Sequence, residues 1–552
     1  MPLTKLTDKQ VTYKQGGAGS VSRSLGDKLQ ESASVFDFMT NAEITAVKSN
    51  AYGAIASVTD AVKKFFDYVV LTGVNGYIPS GTYLINSQIL LTLTRNIGIV
   101  CDKGAVIKSA VGMSSTLVYL QCDTRETFGF SWRGGKFDVS NSVFVLGEAS
   151  GSCLGIKRIC NTVIEDVHFY AGDTYEAATG DSGLTTVDCK SVTVSNCVFT
   201  GHPDLGIYAS GNLTPLDTVD DGGDLIITGC HFNYCQTGVS CKRELQRPLI
   251  SGNTFYRCRS GVALHDTYTN GIQVAAGRKA IISSNHFKFI RTRAIELRLG
   301  SGHLVSANRI EDCGYDLDDA VDTDYFEWLR LAGSTNCLIS SNILTAKGWN
   351  PASAAIVLRS YTDGDAVTTE SVGNMVTDNV IYSSYPGVFP IGISELSGGP
   401  NYLYNNSISD CTLPTSVSNA NTLSSRWHKD IGIRYYAGGT EQFRISSDSI
   451  MANRLRTFGS PVGITGILTA TATLDFPSIA PGTNEKLTIS VPGVTTTGYT
   501  ATFNAGSAAF PDGIVYNIRC YTDTIEVIAN NTNAAAVDLP SGVYYVKAIG
   551  LS

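Results

Sequence analysis

Residues 249–258 read LISGNTFYRC, and residues 281–290 read IISSNHFKFI, the same phrase in different letters. The core is a hexad: apolar, small, small, Asn, polar, apolar. Aligned on its fourth position, the hexad recurs at Val167, Cys197, Cys230, Asn253, Asn285, Asn308, Asn342, Asn379 and Asn406, at spacings of 30, 33, 23, 32, 23, 34, 37 and 27 residues. A fixed phrase at elastic spacing is the signature of a solenoid whose coils share one cross-section and differ in the loops they extrude. The two 23-residue intervals give the bare coil. Short β segments with no helical periodicity between them predict a parallel β-helix, its coils stacked about 4.8 Å apart. The Asn column suits a turn, where Asn tolerates left-handed backbone and stacks as an amide ladder. This assigns the hexad to architecture and removes its Asn residues from the catalytic candidates.

The bulk properties agree. A chain of 552 residues with 43% hydrophobic and 16% charged residues is folded and well buried, and 55 Gly against 16 Pro favours strands and tight turns. A net charge of −8 argues against a nucleic-acid partner. The fourteen cysteines lack CxxC pairs and read as buried thiols. The beginning, MPLTKLTDKQVTYKQGG, has no apolar signal region, and no window has the length of a membrane span, so synthesis in a cytosol without membrane insertion is expected. Residues 42–69 have the apolar spacing of one amphipathic helix that caps the solenoid, and GYIPSGTYLI (76–85) follows as turn and first strand. After about Pro414 the hexads stop, and from about Pro461 alternating strands and Pro/Gly turns predict a separate small all-β domain.

Residues 18–39, AGSVSRSLGDKLQESASVFDFM, and the phrase GYIPSGTYLI resemble bacteriophage tailspikes and pectate-lyase-like phage depolymerases; the acidic GAKGDGVTDD phrase usual after DF is replaced by MTNAEITAVKSN. The resemblance covers most of the chain. It implies a homotrimer of right-handed β-helices on the phage tail, made in the host cytoplasm and attached to the virion or an adaptor protein. Such a spike binds and cleaves capsular polysaccharide or O-antigen without a cofactor. The expected division is 1–34 for virion attachment, 35–90 for helix cap and first rung, 91–415 for the β-helix, 416–460 as linker, and 461–552 as a β-sandwich-like domain for trimerisation and carbohydrate binding.

Glycoside hydrolysis calls for two carboxylates, about 5–5.5 Å apart in retaining enzymes and 6.5–9.5 Å in inverting ones, and stacked coils supply both spacings. Aligning the strand that follows each hexad (GIYAS, GVSCKRE, GVALHD, AIELRL, EWLRLAG, AIVLRS, IGISEL) sends Lys242, His265, Arg298 and Arg359 outward beside Glu296, with Glu244 and Asp266 at the edge. The catalytic candidates are therefore Glu296, paired with Glu327, Asp324 or Asp266, and His265 as acid or base. Candidates for substrate contact are Lys242, Glu244, Arg298, Trp328, Arg330, Arg359, Tyr361 and Trp349. The two longest intervals carry the acidic run from Asp312 to Glu327 and the segments KGWN and YTDGD, rich in aromatic and acidic residues suited to sugar rings and hydroxyls.

The bland alternative for Glu296 is an ion pair with Arg293 and Arg298, and for the loop acids a solvated surface. Asp316, Asp318, Asp322, Asp324 and Glu327 fall at positions of a calcium loop, but Val321 stands where its Gly belongs, and no metal is expected. Two other functions compete with hydrolysis: a lyase using the basic strip to abstract a proton α to a uronate carboxyl, and a tail adhesin that binds sugar without cutting it. Outward apolar residues such as Val357 and Ala263 are expected to be buried between protomers.

Overall fold

The computed structural model describes residues 12–14, 22–24, 31–53, 55–126, 128–143, 151–176, 182–211, 224–242, 245, 247–265, 267–269, 272–274, 279–314, 327–346, 354–362, 368–383, 389–397, 399–409, 411–417, 423–428, 432–437, 440–445, 450–452, 455–456, 463–505 and 512–551. By its contacts the chain forms two compact units, Met1–Leu423 and Ser424–Ser552.

The first unit is an all-β, right-handed parallel β-helix. Each coil makes two short strands from the hexad and a third from the segment after it. In one coil these are Leu249–Ser251, Thr254–Tyr256 and Ser260–His265, pairing in parallel with Ile281–Ser283, His286–Lys288 and Ile295–Arg298 of the next. The hexad's Phe faces inward in every coil through which it persists. Phe137, Phe169, Phe199, Phe232, Phe255 and Phe287 form one stack, with centroids 4.6–5.5 Å apart and near-parallel rings.

The Asn column is the amide ladder the spacing predicts. Asn253 Nδ2 donates to Asn285 Oδ1 at 3.0 Å, and the same bond repeats from Asn285 to Asn308, Asn342, Asn379 and Asn406. Each amide oxygen also accepts the backbone N–H of the Asn above, so these buried groups are paired. The left-handed residue, however, is the one before the Asn: Gly252, Ser284, Ala307, Ser341, Asp378 and Asn405 have φ between 50° and 70°. The turn strain sits on the small third position, and the Asn is there for its amide. All fourteen cysteines are free thiols, eleven of them buried.

The cap contains two helices where one was expected: α1 (Asn41–Ser49) and α2 (Thr59–Thr72). Asn50 ends α1 in left-handed conformation, and Gly53 has φ 52°. The α2 residues Val62, Phe65, Phe66 and Val69 complete the end of the core, covering what would otherwise be an open coil.

In the second unit, Gly463–Leu474, Gly542–Leu551 and Tyr499–Ala505 form one antiparallel sheet and Asn484–Ser490, Thr524–Asn531 and Ile514–Tyr521 another. Phe476, Ile489, Val527, Tyr544 and Val546 belong to their shared core, a sandwich-like arrangement. Residues 416–460, expected as linker, include strands at Gly432–Ala437, Thr440–Ile445 and Ile450–Ala452, paired antiparallel.

Candidate functional site on the third face

The third strands stack as β1 (Ser182–Val187), β2 (Leu205–Ser210), β3 (Thr237–Lys242), β4 (Ser260–His265), β5 (Ile295–Arg298), β6 (Glu327–Ala332), β7 (Ala354–Arg359) and β8 (Phe389–Leu396). Val262, Leu264, Ile295, Leu297, Leu329, Leu331, Ile356 and Leu358 lie in the core, so alternation turns the residues between them outward. One outward column runs Tyr208, Ser240, Ala263, Glu296, Arg330, Val357, Ser394. The next begins Ser210, Lys242, His265 and continues, below Arg298, through Ala332 and Arg359.

The two columns converge on a buried charge cluster. Arg298 Nε donates to Glu296 Oε1 at 2.9 Å. Arg330 lies between both carboxylates, Nη1 3.5 Å from Glu296 and Nε 3.3 Å from Glu327. Arg293 approaches Glu296 at 3.7 Å and Arg359 approaches Glu327 at 3.5 Å. The Glu296 and Glu327 side chains are 6% and 2% exposed, whereas Arg298 and Arg359 are 24% and 27% exposed. These two arginines are thus the more exposed partners of the buried acids.

The carboxyls are driven apart in acidity. Burial alone would raise Glu296, but Arg293, Arg298, His265 and Arg330 outweigh it and hold the group at about 2. Burial dominates at Glu327 and raises it above the usual carboxylate range, against the pull of Arg330 and Arg359. Burial also depresses His265 to about 4, so its imidazole is neutral near pH 7.

Beside the cluster is a cleft of about 360 Å³ lined by Asp204, Leu205, Tyr208, Thr237, Ser240, Lys242, His265 and Arg298. Three of these, Lys242, His265 and Arg298, follow from the strand alignment. Asp204 and Thr237 precede the aligned segments GIYAS and GVSCKRE, and Tyr208 and Ser240 carry no charge to single them out; the signal for these two is register, since they share the column of Glu296. Tyr361 stands at the other side of Arg298, whose guanidinium is 5.5 Å from the ring centre.

Several expectations change. Trp328 is fully buried in the core, where no sugar can stack on it. It occupies the register position of Gly206, Gly238 and Gly261, where a Cβ would strike a Phe of the stack (at Gly261, Phe287 at 2.7 Å). Below Phe287 the stack continues as Ile310 and Leu344, and the bulk shifts to Trp328. Arg330 is 5% exposed and contacts the two glutamates rather than solvent. Val357 and Ala263 are each 2% exposed within a single chain, so burial between protomers is not needed to cover them. Asp266, Asp324, Glu244 and Trp349 lie outside the described residues. Among the described residues no group of acids, His and Cys has the geometry of a metal site, and no helix is long and apolar enough to cross a membrane.

Residues 218–360 match the family described as right handed beta helix region. Among solved structures, the Dettilon tailspike protein is 14% identical over 96% of each chain, with a TM-score of 0.42. The tailspike protein of E. coli bacteriophage HK620 in complex with pentasaccharide is 11% identical over 98% of each chain, with a TM-score of 0.43. The A-module of mannuronan C-5 epimerase AlgE4 from Azotobacter vinelandii is 14% identical over 71% of this chain and 99% of its own, with a TM-score of 0.40. No curated protein matches. These likenesses concern the fold, and no residue role is taken from them.

Proposed function

We propose that the protein is a phage tailspike that binds a bacterial surface polysaccharide, capsule or O-antigen, on the third face and cleaves it by hydrolysis. The observation that carries the reading is the pair Glu296 and Glu327, on neighbouring coils beside a cleft, with acidities pushed in opposite directions. A proton donor must be the less acidic of the pair and its partner the more acidic; the raised Glu327 suits the first role and the lowered Glu296 the second. His265 in the cleft supports a second reading, elimination, with the neutral imidazole taking a ring proton and Lys242 and Arg298 stabilising the charge that develops.

The test is incubation with a panel of capsular and O-antigen polysaccharides, followed by polymer size and product mass. Products one water heavier than the repeat select hydrolysis, and unsaturated products select elimination. A polymer bound but left intact sinks both and leaves an adhesin. For the homotrimer, the supporting surface is the outward side of the hexad strands, where Ile343, Met375, Val380 and Tyr382 are 40–47% exposed. Sedimentation should give three chains, and a monomer at micromolar concentration would refute the assembly.

A further inference from the structure

Lys242, at the end of β3, differs from the other cations of this face. Arg293, Arg298, Arg330 and Arg359 each contact a glutamate, whereas Lys242 makes no ion pair among the described residues and its ammonium lies 5.6 Å from the centre of the Tyr208 ring. Asp204, the described carboxylate of the cleft, accepts a hydrogen bond from Ser182 Oγ at 3.2 Å. It precedes β2 by one residue, whereas Lys242 pairs with Ser210 at the strand's far end, six residues or roughly 20 Å away along the strand direction. The cleft therefore has at one end a cation with no ion pair among the described residues and, at the other, the carboxylate of Asp204. Between them stand the hydroxyl groups of Tyr208, Thr237 and Ser240, and His265 lies directly under Lys242 on the next coil.

We propose that this cleft selects an acidic sugar of the polymer repeat, its carboxylate held by Lys242 and its hydroxyls by Ser240, Thr237 and His265. The inference rests on the glycan reading above and holds for either chemistry. Discrimination comes from a cation in a concave, partly dehydrated site, where an ion pair gains more than on open surface. The uncharged imidazole adds hydrogen-bonding capacity without adding charge. The opposite end, at Asp204, favours a neutral hydroxyl-rich neighbour, so the repeat that fits alternates an acidic with a neutral sugar.

The experiment is calorimetric binding of hyaluronan, polygalacturonate and alginate oligosaccharides, each beside its carboxyl-reduced counterpart, with dextran oligosaccharides as the neutral probe. Native acidic oligosaccharides should bind about tenfold more tightly than reduced ones, and hyaluronan, which alternates acidic and neutral sugars, most tightly. Lys242→Ser, which copies Ser210 in the same column, should lose that tenfold with unchanged melting; Lys242→Arg should keep it. Equal affinity for native and reduced probes, binding of dextran alone, no binding of any acidic probe at millimolar concentration, or an indifferent Lys242→Ser overturns the proposal. Cleavage of a neutral polymer would sink this inference and leave depolymerisation standing. Acidic binding without cleavage of any polymer would do the reverse.

Discussion

Two sets of buried polar side chains in the β-helix are held by opposite means. At the hexad corner, neutral amides repeat at every coil from Asn253 to Asn406, each bonded to the next and to backbone. On the third face, the strands' ion-paired side chains lie on β5, β6 and β7 and follow no fixed repeat: Glu296 and Arg298, then Glu327 and Arg330, then Arg359. The ladder satisfies every coil and so specifies stacking. The cluster places charges under partial cover, which costs desolvation free energy and is repaid only where geometry or function uses the charge. In a solenoid, repetition marks what holds the coils together, and a break in repetition marks where to look for chemistry.

The sharpest way to break that contrast is to change one member of each. Glu327→Gln should reduce polysaccharide cleavage by about 10²–10⁴-fold, the range for a lost general acid, while oligosaccharide binding persists. Retained turnover would remove Glu327 from the chemistry and return the cluster to a structural role. Asn308→Ala should act the other way, on stability. It deletes the acceptor of Asn285 N–H and Nδ2, removes the amide donor of Ile282 C=O and leaves Asn342 Oδ1 with only the backbone N–H of residue 308, a loss of about 3–5 kcal/mol by chemical denaturation. Asn406→Ala, at the ladder's end, loses three such bonds against four at Asn308 and should cost correspondingly less. Equal costs at both positions would mean that the amides act singly and not as a ladder.

Much of this was legible beforehand, and the limits are physical. The hexad names a buried corner and a turn, so coil boundaries follow from spacing. Alternation places Glu296, His265 and Arg298 because their strand neighbours are plain aliphatics. It fails at Trp328, because at a corner the parity of inside and outside is interrupted and Gly261, Ala294 and Trp328 all turn toward the core. The glycines at 206, 238 and 261 were the available signal, since such a column implies a close approach that leaves no room for a side chain. The break at Asn50 was less visible, because the apolar spacing continues across it. How deeply Glu296 and Glu327 are buried could not be read at all, since arginine side chains from their own and the next coil decide it. Trp328→Phe sharpens the corner assignment: it should cost about 2 kcal/mol of stability and leave glycan affinity unchanged. A loss of affinity at unchanged stability would restore the tryptophan to the binding surface.

The smallest effect concerns a second, shorter ladder. Ala280 N–H donates to His303 Nδ1 at 3.1 Å, just as Cys337 N–H donates to Asn374 Oδ1 and Asn374 N–H to Asn401 Oδ1 in the same column. His303 therefore does an asparagine's work with a titratable ring. Burial depresses its pKa from 6.5 to about 4, so between those values the unfolded chain binds a proton that the folded chain does not. Its contribution is fully present above pH 6.5 and is lost as the pH falls toward 4. At pH 5.5 the loss is about 1 kcal/mol relative to pH 7. His303→Asn keeps an acceptor for Ala280 N–H and removes the titration, so its stability should fall by that much less over the same interval. Parallel pH profiles for the two proteins would mean that His303 does not stay neutral in the fold, and would break the analogy between the imidazole and the amides below it.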